Sequence, residues 1–232
     1  MIDIASRIQA DLERNPAINL HNDVIRVVDG DEIRLEGAVS SIANKRRALH
    51  VARQSAGTLR VSDHLRLRPD EQQGDDLLCT RLDQALRGDS EFQGIPIDID
   101  REPEPDPDGR RISLSANDGA VSLSGVVPSL SHRRLAEVMT WWIPGVTAVS
   151  NRLRVEPPEE ENDGEIQEAL DLVFAKDPAL SKHQINVLVR DGEVTLGGTV
   201  GSEEQKARAE ADCWYLPGVR EVNNELEITG QD

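Results

Sequence analysis

The chain has 232 residues, of which 30% are charged and only 3% aromatic, with a formal net charge of −17. Acidity of that size rules against non-specific nucleic-acid binding, which rests on neutralising phosphates with Lys and Arg. Two cysteines, Cys79 and Cys213, with no CxxC pair, rule against a disulfide framework or a zinc site.

Apolar residues at helical spacing (Ile4, Ile8, Leu12) open the chain, and two strands, Val24 to Val28 and Ile33 to Val39, follow about the turn Asp29-Gly30. A second helix near Asn44 to Ala56 carries Lys45, Arg46, Arg47 and Arg53, and Leu59 to Leu67 reads as a closing strand. After Pro69 to Gly74 the order recurs: Leu78, Leu82 and Leu86 on a helix, a turn at Asp118-Gly119, a strand Leu123 to Val127, a helix Leu130 to Ile143, and a strand Val146 to Val155. Within this copy lies an insertion of about 15 residues relative to the other two copies. Ile95, Ile97 and Ile99 alternate there, prolines and acids follow, and Arg110 to Ala116 resumes a strand, which predicts a protruding acidic β-arm over residues 94–111.

Pro157-Pro158-Glu159-Glu160-Glu161 is the clearest linker. Beyond it, Ile166, Leu170, Val173 and Phe174 form the apolar stripe of a helix with Asp163 as its expected N-cap, ended by Asp177-Pro178. Ile185, Val187 and Val189 alternate as a half-buried strand, Asp191-Gly192 turns the chain, and Val194 to Val200 runs back. Ser202 with Gln205 predicts a capped helix to Tyr215, which Pro217-Gly218 stops before a last strand.

One phrase is thus written three times. Its glycines are Gly30, Gly37 and Gly57, then Gly119, Gly125 and Gly145, then Gly192, Gly198 and Gly218. The second and third glycines of each copy are 20 residues apart, and Asp63, Asn151 or Asn224 follows 6 residues after the third. The predicted fold is α+β: three tandem αββαβ units (1–69, 75–156 and 163–230), each a three-stranded mixed sheet with two helices on one face. Units of this size hold little core alone, so they are expected to pack on one another. Gly198, inside a strand, predicts a bulge or a close backbone approach.

The Asp-Gly turn, the Leu-x-Gly strand, the Pro-Gly-Val helix stop and the Val-x-Asn segment closely resemble the BON domain (bacterial osmotic-stress and nodulation domain) in all three copies. The resemblance implies a non-catalytic module associated with phospholipid surfaces, transport or osmotic adaptation, in a group many of whose members are periplasmic. A cytoplasmic relative type senses potassium through a similar domain, and the acidity and the acidic arm motivate a second reading, a cytoplasmic regulator that responds to potassium or calcium.

No reacting constellation accompanies the scaffold: there is no Gly-x-Ser-x-Gly, and the glycines of Leu196 to Gly201 lack the Lys-Ser/Thr of a phosphate loop. No cofactor is called for. Glu104, Asp106 and Asp108 approach a calcium loop, but Arg111 and Ser115 stand where it needs an apolar residue and Glu. Four of the six aromatics pair at equivalent helix ends, Trp141-Trp142 and Trp214-Tyr215, where repeat one has Arg53-Gln54. These aromatics, with Lys45, Arg46, Arg47 and Arg53, are the candidate contacts with a protein partner or an anionic lipid surface. Residues 1–70 carry a net charge of +1, against −6 for 71–158 and −12 for 159–232, so contact with an anionic surface falls to the first repeat. The N-terminus shows no secretory pattern, which predicts a cytoplasmic location, or a periplasmic one if a leader precedes this sequence.

Overall fold

The computed structural model describes residues 4–16, 18, 20, 23–68, 72–100, 109–180 and 184–229. Repeat one runs α1 (Ile4–Arg14), β1 (Val24–Val28), β2 (Ile33–Val39), α2 (Ile42–Ala56), β3 (Val61–Leu67). Repeat two runs α3 (Asp75–Gly88), a 3-10 turn (Ser90–Phe92), β4 (Ile97–Ile99), β5 (Arg111–Asn117), β6 (Ala120–Val127), α4 (Leu130–Trp141), β7 (Ala148–Val155). Repeat three runs α5 (Asp163–Lys176), β8 (Ile185–Arg190), β9 (Glu193–Val200), α6 (Glu203–Tyr215), then a closing strand in two pieces, β10 (Glu221–Asn224) and β11 (Glu227–Ile228).

Each repeat is the expected α+β unit. The hairpin strands pair antiparallel, and after the helical crossover the closing strand pairs parallel with the hairpin's second strand. Every second residue of that central strand points at the helices: Ile33, Leu35 and Val39; Val121, Leu123 and Val127; Val194, Leu196 and Val200 are all buried. Residues 1–68 form one compact unit, and residues 69–232, holding repeats two and three, form a second.

The recurring glycines have separable roles. At the central-strand position Gly37, Gly125 and Gly198 have φ of 135°, 123° and 112°. A Cβ added to any of them would overlap the backbone carbonyl of the facing strand, at Val24, Arg111 and Gln184 respectively. At the hairpin tips Asp118-Gly119 and Asp191-Gly192 all lie at positive φ, the tight two-residue turn. The turn of repeat one is different: Gly30 is not at positive φ, and the chain reverses over Asp29 to Glu32 instead.

Two expectations are corrected. The N-cap of α5 is Asn162, whose side chain accepts from Glu165 N at 3.1 Å. Asp163 instead reaches across to the hairpin, accepting from Asp191 N at 2.6 Å and Gly192 N at 3.0 Å, and Asp75 makes the same clamp on Asp118 N and Gly119 N. The insertion in repeat two, expected as a projecting arm, begins as an added edge strand. β4 pairs parallel with β5 (Ile97 opposite Ile112), so the limbs about the insertion are not a hairpin. Phe92, Ile95 and Ile97 are buried, extending the core beneath it.

Candidate functional site: the joint between repeats two and three

The closing-strand Asn or Asp ties each strand to the crossover helix. Asn151 donates to Arg133 O at 2.8 Å and Asn224 to Lys206 O at 2.9 Å, while their Oδ1 atoms accept from Leu153 N and Leu226 N. In repeat one Asp63 accepts from Leu65 N and pairs with Lys45 Nζ at 3.0 Å, and Lys45 also donates to the carbonyl of Leu65. Lys45 is only 6% exposed, so it cannot belong to the exposed basic face expected for it. Arg46 and Arg47 are half-buried and engaged in interactions of their own, and Arg53 is exposed. Lysine is drawn inward here because its long apolar stem lies along the helix while its ammonium reaches the carbonyl and Asp63.

Of the four aromatics at the helix ends, Trp141, Trp142 and Tyr215 make contacts from one repeat to the other. Trp141 and Trp214 are buried, at 8% and 1% exposure. Trp141 stacks on Tyr215 of the next repeat, with ring centroids 6.0 Å apart and planes 12° from parallel. Trp142 donates its indole Nε1–H to Asp212 Oδ1 at 2.8 Å, again across the repeats. Helix α4, caught in this joint, is buried at every residue from Arg134 to Trp141. Lys176, at the end of α5, pairs with Asp89 of repeat two at 2.7 Å, and Glu159 and Glu161 of the linker bind Leu130 N and Arg133.

At the centre of the joint are two carboxyl groups. Asp212 is 1% exposed and Asp177, which caps the end of α5, is fully buried. Asp177 accepts from Ala179 N at 2.8 Å and is paired with Arg208. Burial pushes the Asp212 carboxyl up to about 8; the Trp142 bond pulls it back, and the neighbouring Asp177 raises it further. Burial and then Asp212 raise Tyr215 as well, and both also raise the buried Cys213 thiol. Sequence reading passed over Asp212 as one acid among many on α6. The repeat alignment does mark it: counting back 6 residues from the third glycine gives Val51, Met139 and Asp212, an acid at a position that is apolar in the other copies.

Glu104, Asp106 and Asp108 lie outside the described residues; among the described residues no group of three His, Cys, Asp or Glu side chains could hold a metal ion. Among the same residues, no helix is long and apolar enough to cross a membrane.

Comparison with known proteins fits this architecture. The chain is similar to osmotically-inducible protein Y of Escherichia coli (strain K12), with 32% identity over 123 residues, covering 50% of this chain and 61% of that protein. The chain therefore spans about three fifths of the length of the curated relative it matches. Among solved structures, the C-terminal domain of CdsD, the structural protein of the Type III secretion system of Chlamydia trachomatis, aligns at 16% identity over 99% of this chain and 98% of that one, with a TM-score of 0.24. The PrgH periplasmic domain aligns at 11% identity over 88% and 95%, also at 0.24. Superpositions that poor carry no weight. The family comparison is decisive: the sequence model of the BON domain matches residues 3–69, 75–157 and 162–230. Three copies of one αββαβ unit, each matched along almost its whole length, place this chain in the BON domain family.

Proposed function

We propose that this chain is a non-catalytic binding and scaffold protein of the bacterial stress or envelope response, in which repeats two and three act as one body and repeat one makes the contact with an anionic surface. The first half of this reading is supported by the joint: Trp141, Trp142 and Tyr215 are engaged across the two repeats and Trp214 is buried, so these aromatics are not a ready-made docking patch. The link to stress is supported by the 32% identity to a relative named as osmotically inducible.

The observation that carries the second half is the outer face of the repeat-one sheet. Strand register lines up Arg26, Glu36 and His64 in one row, Val28, Arg34 and Ser62 in another, and Val24, Ala38 and Arg66 in a third. These residues alternate with the buried ones, so they share the face away from the helices. Three arginines and a histidine stand there with one acid, on a chain whose other repeats are strongly acidic. A flat cationic face is suited to anionic headgroups, each nearby Lys or Arg contributing roughly 1 kcal/mol at a charged bilayer surface. Exposed Arg53 adds to the same repeat.

Co-sedimentation with phosphatidylglycerol vesicles at low salt, against phosphatidylcholine vesicles, tests this. Binding to the anionic vesicles alone, lost on Arg26→Glu with Arg66→Glu, is the expected result. No binding at low salt, or binding indifferent to the charge reversal, would remove the lipid surface from the reading.

A further inference from the structure

Among the described residues, repeat two alone has a strand added to the outer edge of its hairpin: β4 on β5. There Ile112 N donates to Pro96 O at 2.9 Å, and Asp100 N donates to Leu114 O at 2.8 Å. The backbone groups of Ile112 and Leu114 thus point away from β6 and are satisfied by the added strand. Ile112 faces Gly125 across the hairpin, and in repeat three Ile185 faces Gly198, so Ile185 and Val187 are the counterparts of Ile112 and Leu114. Their outward N–H and C=O groups meet no strand among the described residues. Side-chain burial differs in step. Ile112 and Leu114 are 0% and 1% exposed, but Ile185 and Val187 are only half-buried. Leu188, on the outer face where repeat two has Ser115, is 48% exposed.

Proteins blunt their edge strands with charge, proline or shortness. β1 has Arg26 at its centre, β3 has Asp63, His64 and Arg66, and β7 has Arg152 and Arg154. β10 and β11 open on Glu221 and Glu227, and β4 is a short strand holding Asp98. β8 has none of these devices: it runs Ile185–Arg190 in unbroken register, with no proline and no charge before its last residue. We propose that β8 is a self-pairing edge, by which two copies of this chain join antiparallel, β8 to β8, into one continuous sheet. The strand is complementary to itself. With Val187 opposite its own copy, Ile185 meets Val189, and these are the residues whose outward backbone groups face the partner. Asn186 then meets Leu188, the two Leu188 side chains become diagonal neighbours, and no like charges stand opposite each other. What opposes the contact is the net charge of −12 on residues 159–232 of each copy, which repels at longer range. Salt screens that repulsion, since the Debye length falls from about 8 Å at 0.15 M to about 3 Å at 1 M. An uncharged edge on an acidic body therefore pairs more tightly as ionic strength rises. The contact involves repeat three, so it stands or falls separately from the vesicle binding assigned to repeat one.

Sedimentation equilibrium of the full chain up to about 200 μM, in about 50 mM and about 1 M potassium chloride, measures the association. The expected result is a reversible monomer–dimer equilibrium whose Kd falls at least tenfold at the higher salt. In the dimer the amides of Ile185, Val187 and Val189 gain protection from hydrogen exchange, while that of Leu188, already inside the hairpin ladder, is unchanged. Val187→Pro removes an outward N–H and no hairpin bond. Leu188→Glu makes like charges diagonal neighbours at an exposed position, and serves if the proline variant fails to fold. Each variant, where far-ultraviolet dichroism shows it folded, should weaken the dimer at least tenfold. A chain that is monomeric at the highest concentration in high salt overturns the proposal, as does a dimer that weakens with salt or ignores a folded edge variant. So does a chain that stays monomeric while the same amides gain protection only from an added peptide of the β4 sequence, Ile95 to Asp100, which would give the edge to foreign strands.

Discussion

Four residues before the glycine that ends the crossover helix, repeat one has Arg53, repeat two Trp141 and repeat three Trp214. The next position is Gln54, Trp142 and Tyr215. The scaffold around these positions is the same in the three copies, down to the side-chain tie between closing strand and helix. Yet α2 leaves Arg53 and Gln54 exposed, whereas α4 is enclosed from Arg134 onward. The contact between repeats two and three thus uses helix-end residues laid over a constant frame. The tie itself shows the same economy: repeats two and three use a neutral Asn on a backbone carbonyl, and repeat one an ion pair, Lys45 with Asp63.

The largest test of the shared frame is Gly125→Ala, where a methyl group has no space and φ is 123°. It should remove about 3 kcal/mol or more from repeat two in urea unfolding followed by tryptophan emission. Gly57→Ala is the contrast. Its φ of 65° and ψ of −110° are a conformation suited to glycine, with nothing near an added Cβ, so only backbone strain of about 1–3 kcal/mol applies, without the overlap, read by dichroism. Equal effects at the two sites would show that close strand approach is not what the central glycine serves.

A second test is the pH dependence of the paired repeats. An unfolded Asp releases its proton near pH 4, about four units below the folded Asp212. Between those values the folded state holds a proton that the unfolded state lacks. Stability of the paired repeats therefore falls as pH rises from about 4 to about 8, by up to ~1.4 kcal/mol per unit, and levels off above. Tryptophan-detected denaturation at pH 5, 6.5 and 8 should show the fall, and Asp212→Asn should flatten it. Within repeat one, Lys45→Ala should cost about 1–2 kcal/mol, because it strands a partly exposed Asp63 and a buried carbonyl. Arg53→Ala should stay within about 0.5 kcal/mol. Melting by dichroism separates the two. Asn224→Ala, which loses the tie to Lys206 O, should cost roughly 1 kcal/mol in the same tryptophan assay that follows Gly125→Ala.

Much of the frame could be read from residue spacing, because apolar period, Asp-Gly turns and Pro-Gly stops act over a few neighbouring residues. Features joining distant residues were not legible. Asp163 looks like a cap because it opens a helix, but its partners lie 28 and 29 residues away. Lys45 reads as one of three exposed cations, and only the folded helix shows its ammonium turned onto Leu65 and Asp63. The direction of β4 was also hidden, since alternation predicts a strand but says nothing of whether it pairs parallel or antiparallel. The aromatic pairs stand out in the sequence by their position, but a single chain of residues does not state that Trp141 of one copy stacks on Tyr215 of the next.

The enclosure of α4 has a consequence for how the protein is made. A ribosome delivers repeat two before repeat three, and roughly 70 further residues must follow before α5 and α6 exist to cover it. At about 5–20 residues per second that leaves the face of α4 uncovered for several seconds. Val138, Met139 and Trp141 then face water on a nascent chain, at the stage when exposed apolar surface invites association with neighbouring chains. Repeat one, with polar residues at its helix end, passes through no such interval. Nascent-chain crosslinking should therefore find chaperone once residue 160 has emerged from the ribosome and lose it once residue 230 has emerged.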